Sequence, residues 1–329
     1  MPQSAHHEDR DAPAPPHPQI AAYLDALKFE RQLSPHTLGS YAHELAVLQR
    51  LAAQHAAGID LTQLQAHHIR RMMAQLHGDG LSGRSIARAL SAWRGWYKWM
   101  ALRDAAVTAN PVDGVRAPKS PKRLPKALSV EHAVALMEHV PGEDADTIRD
   151  RAVNELLYSC GLRVSELVSL DLRHVKTGEY ESASWLDLEA REVVVLGKGN
   201  KRRSVPVGSK AAEALAAWLA ARPQLTQPDA ATEDAQALFI SPRGKRLGRR
   251  QIHLRMKRNA IAAGVPADVH PHVLRHSFAT HMLQSSGDLR AVQELLGHAS
   301  IASTQVYTSL DFQHLAKIYD QAHPRAKKK

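Results

Sequence analysis

A proline-rich, basic segment interrupts this 329-residue chain about one third of the way along and limits how the chain can fold. Four prolines lie between Asn110 and Pro125, with basic residues among them. Proline fixes φ and has no backbone N–H group, so it cannot continue a helix, and a segment rich in it stays extended. We therefore predict two domains joined by a linker over residues 115–127, in agreement with the length of the chain.

The residues before the linker carry apolar side chains at helical spacing almost throughout. This pattern predicts an all-helical domain over residues 19–114 with four helices, which lie around Ile20, after Ser34 and Pro35, around Ile69, and from Ser82 to Met100. Residues 1–18 are rich in proline and histidine and cannot bury apolar area, so we predict a disordered leader there.

The second predicted domain, residues 128–329, is mainly helical with a small antiparallel sheet. Three short runs favour strands, at 185–188, 192–196 and 203–207. Residues 197–201 join the last two runs, which predicts a β-hairpin with a basic tip. Residues 176–184 read as a polar loop. Helices are predicted over 145–159, shortly after Arg163, and over 210–221, 249–263, 271–284, 289–296 and 312–319.

The charge balance favours a polyanionic partner. Lys and Arg total 43 against 33 Asp and Glu, a formal net charge of +10, although many soluble proteins are basic without binding nucleic acid. The lone cysteine, Cys160, excludes a disulfide framework and multi-cysteine zinc sites, and it suits a reducing compartment. Since no apolar run approaches the roughly 20 residues that span a bilayer, we expect a soluble, cytoplasmic protein without membrane insertion.

Arginines recur on the polar faces of the first domain. Guanidinium groups match phosphate oxygens, so these residues are candidate DNA contacts, although a charged helix face is often only solvated. The candidate DNA-binding residues, including those in the linker, are Arg70, Arg71, Arg84, Arg88, Arg94, Lys119, Lys122 and Arg123.

Five places in the second domain concentrate side chains that can meet a phosphate: the segment 161–167, Lys198 in the hairpin tip, the segment 272–276, the segment 296–298, and Tyr307. Each alone is a weak signal. His272 and His276 are spaced for zinc, but no acidic or cysteine third ligand lies nearby, and Arg275 would place a cation beside the metal. We therefore expect no metal site there.

Taken in order, these segments resemble the tyrosine recombinase family, the integrase-like DNA strand transferases. The motifs are Gly-Leu-Arg-Val-Ser-Glu-Leu from Gly161, a hairpin lysine, His-Val-Leu-Arg-His from His272, Leu-Gly-His ending at His298, and Tyr307 nine residues later. The resemblance covers the chain from about residue 19. It implies a helical core-binding domain followed by an α+β catalytic domain.

The resemblance also implies chemical roles for the matched residues. Arg163 and Arg275 would clamp the non-bridging phosphate oxygens, with a further hydrogen bond from His298. Tyr307 would attack phosphorus and form a 3′-phosphotyrosyl link. His272 is the candidate base and Lys198 the candidate general acid, while Glu166 would orient the Arg163 segment.

A phosphotyrosyl link conserves the energy of the broken diester, so the resemblance implies no cofactor or metal. It implies a double-stranded recombination site, a second related recombinase in a heterotetramer, and a septal DNA translocase as partners. The last helix would pack on a neighbouring subunit or fold back on its own domain. The function that the resemblance implies is site-specific DNA recombination, with resolution of chromosome dimers at cell division. Alternative functions are a phage- or plasmid-type integrase, a type IB topoisomerase-like strand transferase, and a DNA-binding regulator without catalytic activity.

Overall fold

The computed structural model describes residues 17–104, 107–119, 127–139, 142–197, 201–265, 268–297 and 318–326. The chain divides into two compact units, Met1–Arg123 and Leu124–Lys329. Within the described residues, no helix combines the length and the apolar composition needed to cross a membrane.

The described part of the first unit contains the four predicted helices: α1 (Pro18–Phe29), α2 (Pro35–His55), α3 (Ala66–Gly78) and α4 (Gly83–Met100). A short 3-10 turn, Leu61–Gln63, precedes α3 and was not predicted. The side chain of Ser34 accepts a hydrogen bond from the Thr37 N–H, and Ser82 caps α4 in the same way, as the sequence indicated.

Aromatic side chains of α4 fill the core of this unit. The Trp93 indole donates to the Glu44 carbonyl oxygen at 2.7 Å, and the Tyr97 hydroxyl donates to the Leu61 carbonyl oxygen at 2.7 Å. Both rings are fully buried, so these bonds satisfy polar groups that water cannot reach. Val112 and Val115 are buried in the same core, so the packing of the first unit continues into the start of the predicted linker.

The second unit is mainly helical, as predicted. Its helices are α5 (Val130–Glu138), α6 (Ala145–Cys160), α7 (Val164–Val168), α8 (Ser209–Ala221), α9 (Thr232–Gln236), α10 (Arg249–Ala262), α11 (Pro271–Ser286) and α12 (Leu289–Leu296). Its strands are β1 (Leu170–Asp171), β2 (Lys176–Thr177), β3 (Tyr180–Glu181), β4 (Ser184–Asp187), β5 (Glu192–Leu196) and β6 (Arg202–Pro206).

The sheet differs in two ways from the expectation. Its order is β1-β4-β5-β6, and β1 pairs with β4 in parallel, so the sheet is mixed rather than purely antiparallel. The prediction of a polar loop over 176–184 was wrong, because β2 and β3 pair there as a small antiparallel hairpin. The Tyr180 hydroxyl donates to the Asp171 carboxylate at 2.7 Å, a contact with β1 that a local pattern does not reveal.

Helix α6 lies at the centre of the second unit and brings the site together. Nearly all of its second half is buried, including Cys160, whose burial raises the thiol pKa to about 12. The helix packs against α8, α11 and α5. It ends at Cys160. The next residue, Gly161, has a left-handed φ of 57°, and the first predicted motif begins at this turn.

The described C-terminal segment, 318–326, packs on its own unit. Tyr319 is fully buried, and its hydroxyl is 2.5 Å from the Ser159 hydroxyl. The His323 ring stacks on Tyr319 with centroids 4.9 Å apart. The rest of the predicted final helix, 312–317, lies outside the described residues, as do residues 1–16 of the predicted leader.

Candidate active site

Arg163 precedes the short helix α7, and a capping arrangement holds it there. Its backbone N–H donates to Glu166 Oε2 at 2.8 Å, and its Nη1 donates to Glu166 Oε1 at 2.8 Å. The carboxylate is therefore bound to both the backbone and the side chain of the same arginine. Because the Arg163 side chain keeps about a third of its surface exposed, it can reach a ligand outside the core.

Arg275 projects from α11 between the C-terminal ends of two other helices. Its Nη1 donates to the carbonyl oxygen of Gly161, which follows α6, and its Nη2 donates to the carbonyl oxygen of Leu296 in α12, each at 2.6 Å. Helix C-termini carry partial negative charge, so both contacts favour the cation. Burial, with the neighbouring positive charge of Arg163, lowers the pKa of Arg275 to about 10, which still leaves it charged at neutral pH.

Glu166 connects the two predicted arginines to a third, Arg203. The Arg203 Nη1 and Nη2 atoms donate to the two carboxylate oxygens of Glu166 at 2.9 and 3.0 Å. Arg275 Nη1 lies 4.0 Å from Glu166 Oε2. Burial alone would raise the pKa of Glu166, but hydrogen bonds and charge from Arg203, together with Arg163, lower it, so the carboxylate is ionised. The orienting role of Glu166 stays a prediction, and these contacts give the carboxylate a position from which it could hold Arg163.

Sequence reasoning missed Arg203. It lies on β6, where burial alternates so that Arg202 is exposed while Arg203 and Val205 face inward. A charged side chain on the inner face of a strand needs a buried partner of opposite charge. The available signal was that Arg203 has the same strand phase as the apolar Val205, which predicts that both side chains face inward.

His272 lies in the first turn of α11, and its residue surface is exposed. Desolvation of the ring, followed by the charges of His270 and Arg275, lowers the pKa of His272 below its usual value. The neutral form, which a general base requires, therefore dominates at pH 7. The rings of His270 and His272 are 6.0 Å apart at their centroids.

Three predicted catalytic residues, Lys198, His298 and Tyr307, lie outside the described residues. The described neighbours of Lys198 form the base of the predicted hairpin, where Leu196 pairs with Arg202 and the Gly197 N–H donates to the Lys201 carbonyl oxygen at 2.8 Å.

The candidate DNA-binding residues of the first unit fall into three groups. Arg70, Arg71 and Arg84 are exposed on α3 and α4, as is Lys119 further along the chain. Lys122 and Arg123 lie outside the described residues.

The other two arginines have partners within the first unit, while their side chains stay 61% (Arg88) and 41% (Arg94) exposed. Arg88 Nε is 2.7 Å from the buried carboxylate of Glu44. Arg94 Nη2 donates to the carbonyl oxygens of Val112 and Val115, each at 3.3 Å, and so holds that segment against α4.

The described arrangement suits an anionic ligand. Three guanidinium groups and one carboxylate leave a net positive charge beside the partly exposed Arg163, which is the environment that stabilises a phosphate under attack. Among the residues that the structure describes, no cluster of three or more His, Cys, Asp or Glu could hold a metal ion.

Two family models match the chain, one over each unit. The phage integrase family model covers residues 126–314, more than half of the chain. The chain belongs to the phage integrase family, the tyrosine recombinases. A second model, for the SAM-like N-terminal domain of phage integrases, covers residues 20–104 of this recombinase. The two matches bear out the predicted architecture.

Relatives match the recombinase over most or all of its length. Tyrosine recombinase XerC of Ralstonia pickettii (strain 12J) is 88% identical over 329 residues, 100% of both chains. Tyrosine recombinase XerC 1 of Ralstonia nicotianae is 85% identical over the same span. Tyrosine recombinase XerC of Pseudomonas aeruginosa (strain PAO1) is 50% identical over 311 residues, 94% of this chain and 96% of the relative.

Solved structures share the fold at low identity. XerH site-specific recombinase bound to palindromic difH substrate is 20% identical with a TM-score of 0.62, over 92% of this chain and 84% of that chain. The Tn1549 transposon integrase in complex with circular intermediate DNA is 17% identical with a TM-score of 0.65, over 90% and 98% of the two chains. These neighbours support the fold of the recombinase.

Proposed function

We propose that this tyrosine recombinase is a XerC-type, site-specific recombinase that resolves chromosome dimers at cell division. It would cleave and rejoin DNA through a 3′-phosphotyrosyl intermediate on Tyr307. The observation that carries the proposal is the convergence of Arg163 and Arg275 beside Glu166 in a chain 88% identical to a XerC recombinase over its full length.

In this mechanism the two arginines act on the scissile phosphate. Arg275 is fixed by two helix carbonyl groups, so its remaining N–H groups keep their direction when a phosphate arrives. Arg163 is more exposed and provides the outer half of the clamp. Together they offset the charge that develops on the non-bridging oxygens, and His298 adds a further hydrogen bond.

Proton transfer is assigned to three other residues. Tyrosine has an ordinary pKa near 10, so Tyr307 must lose its proton as it attacks. His272 would accept that proton, and its lowered pKa keeps the ring neutral for this role. Lys198 in the hairpin tip would protonate the leaving 5′-oxygen. The energy of the diester is conserved in the phosphotyrosyl bond, so the proposed reaction uses no cofactor.

The proposal extends to domains and partners. Residues 19–114 would form the core-binding domain, 115–127 the linker and 128–329 the catalytic domain. The exposed cations Arg70, Arg71 and Arg84 would contact DNA phosphates. A XerD-like partner recombinase would complete a heterotetramer on two recombination sites, and an FtsK-like septal DNA translocase would control it. The reaction would take place in the cytoplasm.

A nicked suicide duplex with a chromosomal dimer-resolution site tests the proposal. The wild-type chain, with and without the partner recombinase, should form a covalent protein–DNA adduct that survives a denaturing gel. Tyr307→Phe should bind the same duplex and form no adduct. Tyr180→Phe, which removes a phenol hydroxyl that contacts Asp171, is the matched control and should form the adduct normally.

The alternatives give different results with the suicide duplex or with two further substrates. A type IB topoisomerase-like strand transferase would relax supercoiled plasmid without a specific site. A phage- or plasmid-type integrase would cleave its own attachment site but not the dimer-resolution site. A regulator without catalytic activity would bind the duplex and give no adduct even in the wild type.

A further inference from the structure

We propose that Arg203 is a positioning residue for strand cleavage. It would neutralise and hold the Glu166 carboxylate so that Arg163 and Arg275 keep their guanidinium N–H groups for the scissile phosphate. The inference rests on the proposed function, and it concerns a residue outside the motifs that identified the site.

The contacts of Arg203 connect three elements. Its two terminal nitrogens bind Glu166 of α7 in a bidentate pair, and its Nε donates to the Leu295 carbonyl oxygen of α12 at 3.2 Å. Arg203 itself lies on β6, five residues after Lys198 in the sequence. A bidentate arginine–carboxylate pair fixes direction as well as distance. One side chain thus sets the relative positions of α7, β6 and the end of α12.

Three arginines lie around the one carboxylate of Glu166. Glu166 already accepts two hydrogen bonds from Arg163 and lies 4.0 Å from Arg275 Nη1. The carboxylate is only 4% exposed, so water would compensate poorly for a lost partner. Without Arg203, Glu166 would draw further N–H groups from Arg163 or pull Arg275 away from the Gly161 carbonyl oxygen. Either change removes donors that the phosphate needs.

The packing around Arg203 leaves little room for another arrangement. The side chain is 8% exposed. A Cβ atom at Gly297 would lie 3.0 Å from both Arg203 Nε and Nη1, and Gly297 has a left-handed φ of 66°. Glycine at this position allows α12 to end directly against the guanidinium group. His298 follows Gly297 in the sequence, so Arg203 also supports the segment that leads to that residue.

Single-turnover cleavage of the suicide duplex tests the inference. Arg203→Ala should slow adduct formation about 100-fold, because a displacement of about 1 Å in a positioning group can cost that much. Arg203→Lys, which cannot form the bidentate pair, should fall between the wild type and Arg203→Ala. The control is Arg202→Ala, at the adjacent exposed position beside Trp185 and Glu181, which should cleave at the wild-type rate.

A double variant separates positioning from a purely structural role. If the defect comes from an uncompensated carboxylate, Glu166→Gln in the Arg203→Ala background should restore the rate at least about tenfold, a coupling that a double-mutant cycle measures. If Arg203 only supports the fold, the second substitution should add to the loss. Cleavage by Arg203→Ala at the wild-type rate, or a loss that Glu166→Gln does not recover, would overturn the inference.

A measurement without strand cleavage distinguishes this inference from the proposed function. Inorganic phosphate should raise the Tm of the wild type and of Arg202→Ala relative to chloride at equal ionic strength, because it binds the folded site. Arg203→Ala should lose most of that shift, and the double variant should regain it. If wild-type protein formed no adduct but these shifts were observed, the proposed reaction would fail and the arrangement of guanidinium groups would stand. Equal phosphate shifts in all variants would refute the arrangement.

Discussion

The Arg275 guanidinium donates to the carbonyl oxygen of Gly161 at 2.6 Å and links helix α11 to the end of helix α6. The turn at Gly161 thus has two functions, since it ends α6 and presents an acceptor to the more buried of the two predicted arginines. The left-handed backbone of Gly161 directs that carbonyl group towards the site.

Replacement of Gly161 by alanine should destabilise the second unit. A Cβ atom there would be strained at a φ of 57° and would overlap the ring of the buried Phe278. We expect a loss of about 3 kcal/mol in the free energy of unfolding, measured in urea. Gly287→Ala has a similar φ of 67° with open space around it, so it should lose only about 1 kcal/mol. Equal losses would show that the contact with Phe278 contributes nothing.

Arg275→Lys should abolish most strand cleavage while DNA binding changes far less. A lysine ammonium has too few N–H donors to bind the carbonyl groups of Gly161 and Leu296 and also donate two hydrogen bonds to a phosphate. We expect cleavage to fall about 100- to 1000-fold, the usual effect of losing a fixed donor to a developing anion. Adduct formation and fluorescence anisotropy give the two quantities.

The control for Arg275 is Arg222→Lys. Arg222 also joins backbone carbonyl groups, those of Ala235 and Ala237, but it does so away from Glu166 and its arginine partners. It should lose stability without a selective loss of cleavage. Parallel losses of affinity and cleavage in Arg275→Lys would identify Arg275 as a binding residue only.

The salt dependence of DNA affinity should separate Arg84 from Arg94. Arg84 is exposed on α4, so Arg84→Ala should reduce the slope of log affinity against log salt by about 0.9, the value for one phosphate contact. Arg94 instead binds the carbonyl oxygens of Val112 and Val115, so Arg94→Ala should keep the slope and lower stability by about 1 kcal/mol. A reduced slope for Arg94→Ala would contradict this assignment.

His323 should make stability fall as the pH is lowered below neutral. Burial among Tyr319, Tyr158 and Phe278, with the nearby charges of His281 and Arg325, lowers the pKa of His323 to about 3. A histidine with a depressed folded pKa stabilises the fold above its unfolded pKa of about 6.5, and this contribution is lost as the pH falls towards the folded value.

Urea unfolding at pH 7 and pH 5 measures the effect of His323. The wild type should lose about 2 kcal/mol more than His323→Phe over this interval, at about 1.4 kcal/mol per pH unit below 6.5. His132→Gln, at an exposed position, is the control and should lose as much as the wild type. An identical pH dependence in His323→Phe and the wild type would disprove the contribution.

Much of the fold follows from local sequence. The helices of the first unit were predictable because apolar spacing and the caps at Ser34 and Ser82 act within a few residues. The hairpin of β5 and β6 was predictable for the same reason. The two-residue strands were not, since β1 and β2 are too short to show a period, and the parallel pairing of β1 with β4 joins residues far apart in the sequence.

The sequence by itself determined the family, through the order and spacing of a few polar residues, and it determined where most of the longer helices lie. Only the tertiary structure decided what Arg275 touches. The acceptors of Arg275 are backbone carbonyl groups at the ends of α6 and α12, and a carbonyl group has no signature in the sequence. Arg203 joins the site for a related physical reason, since a charged group that is removed from water takes whichever partner the folded chain brings within hydrogen-bond distance.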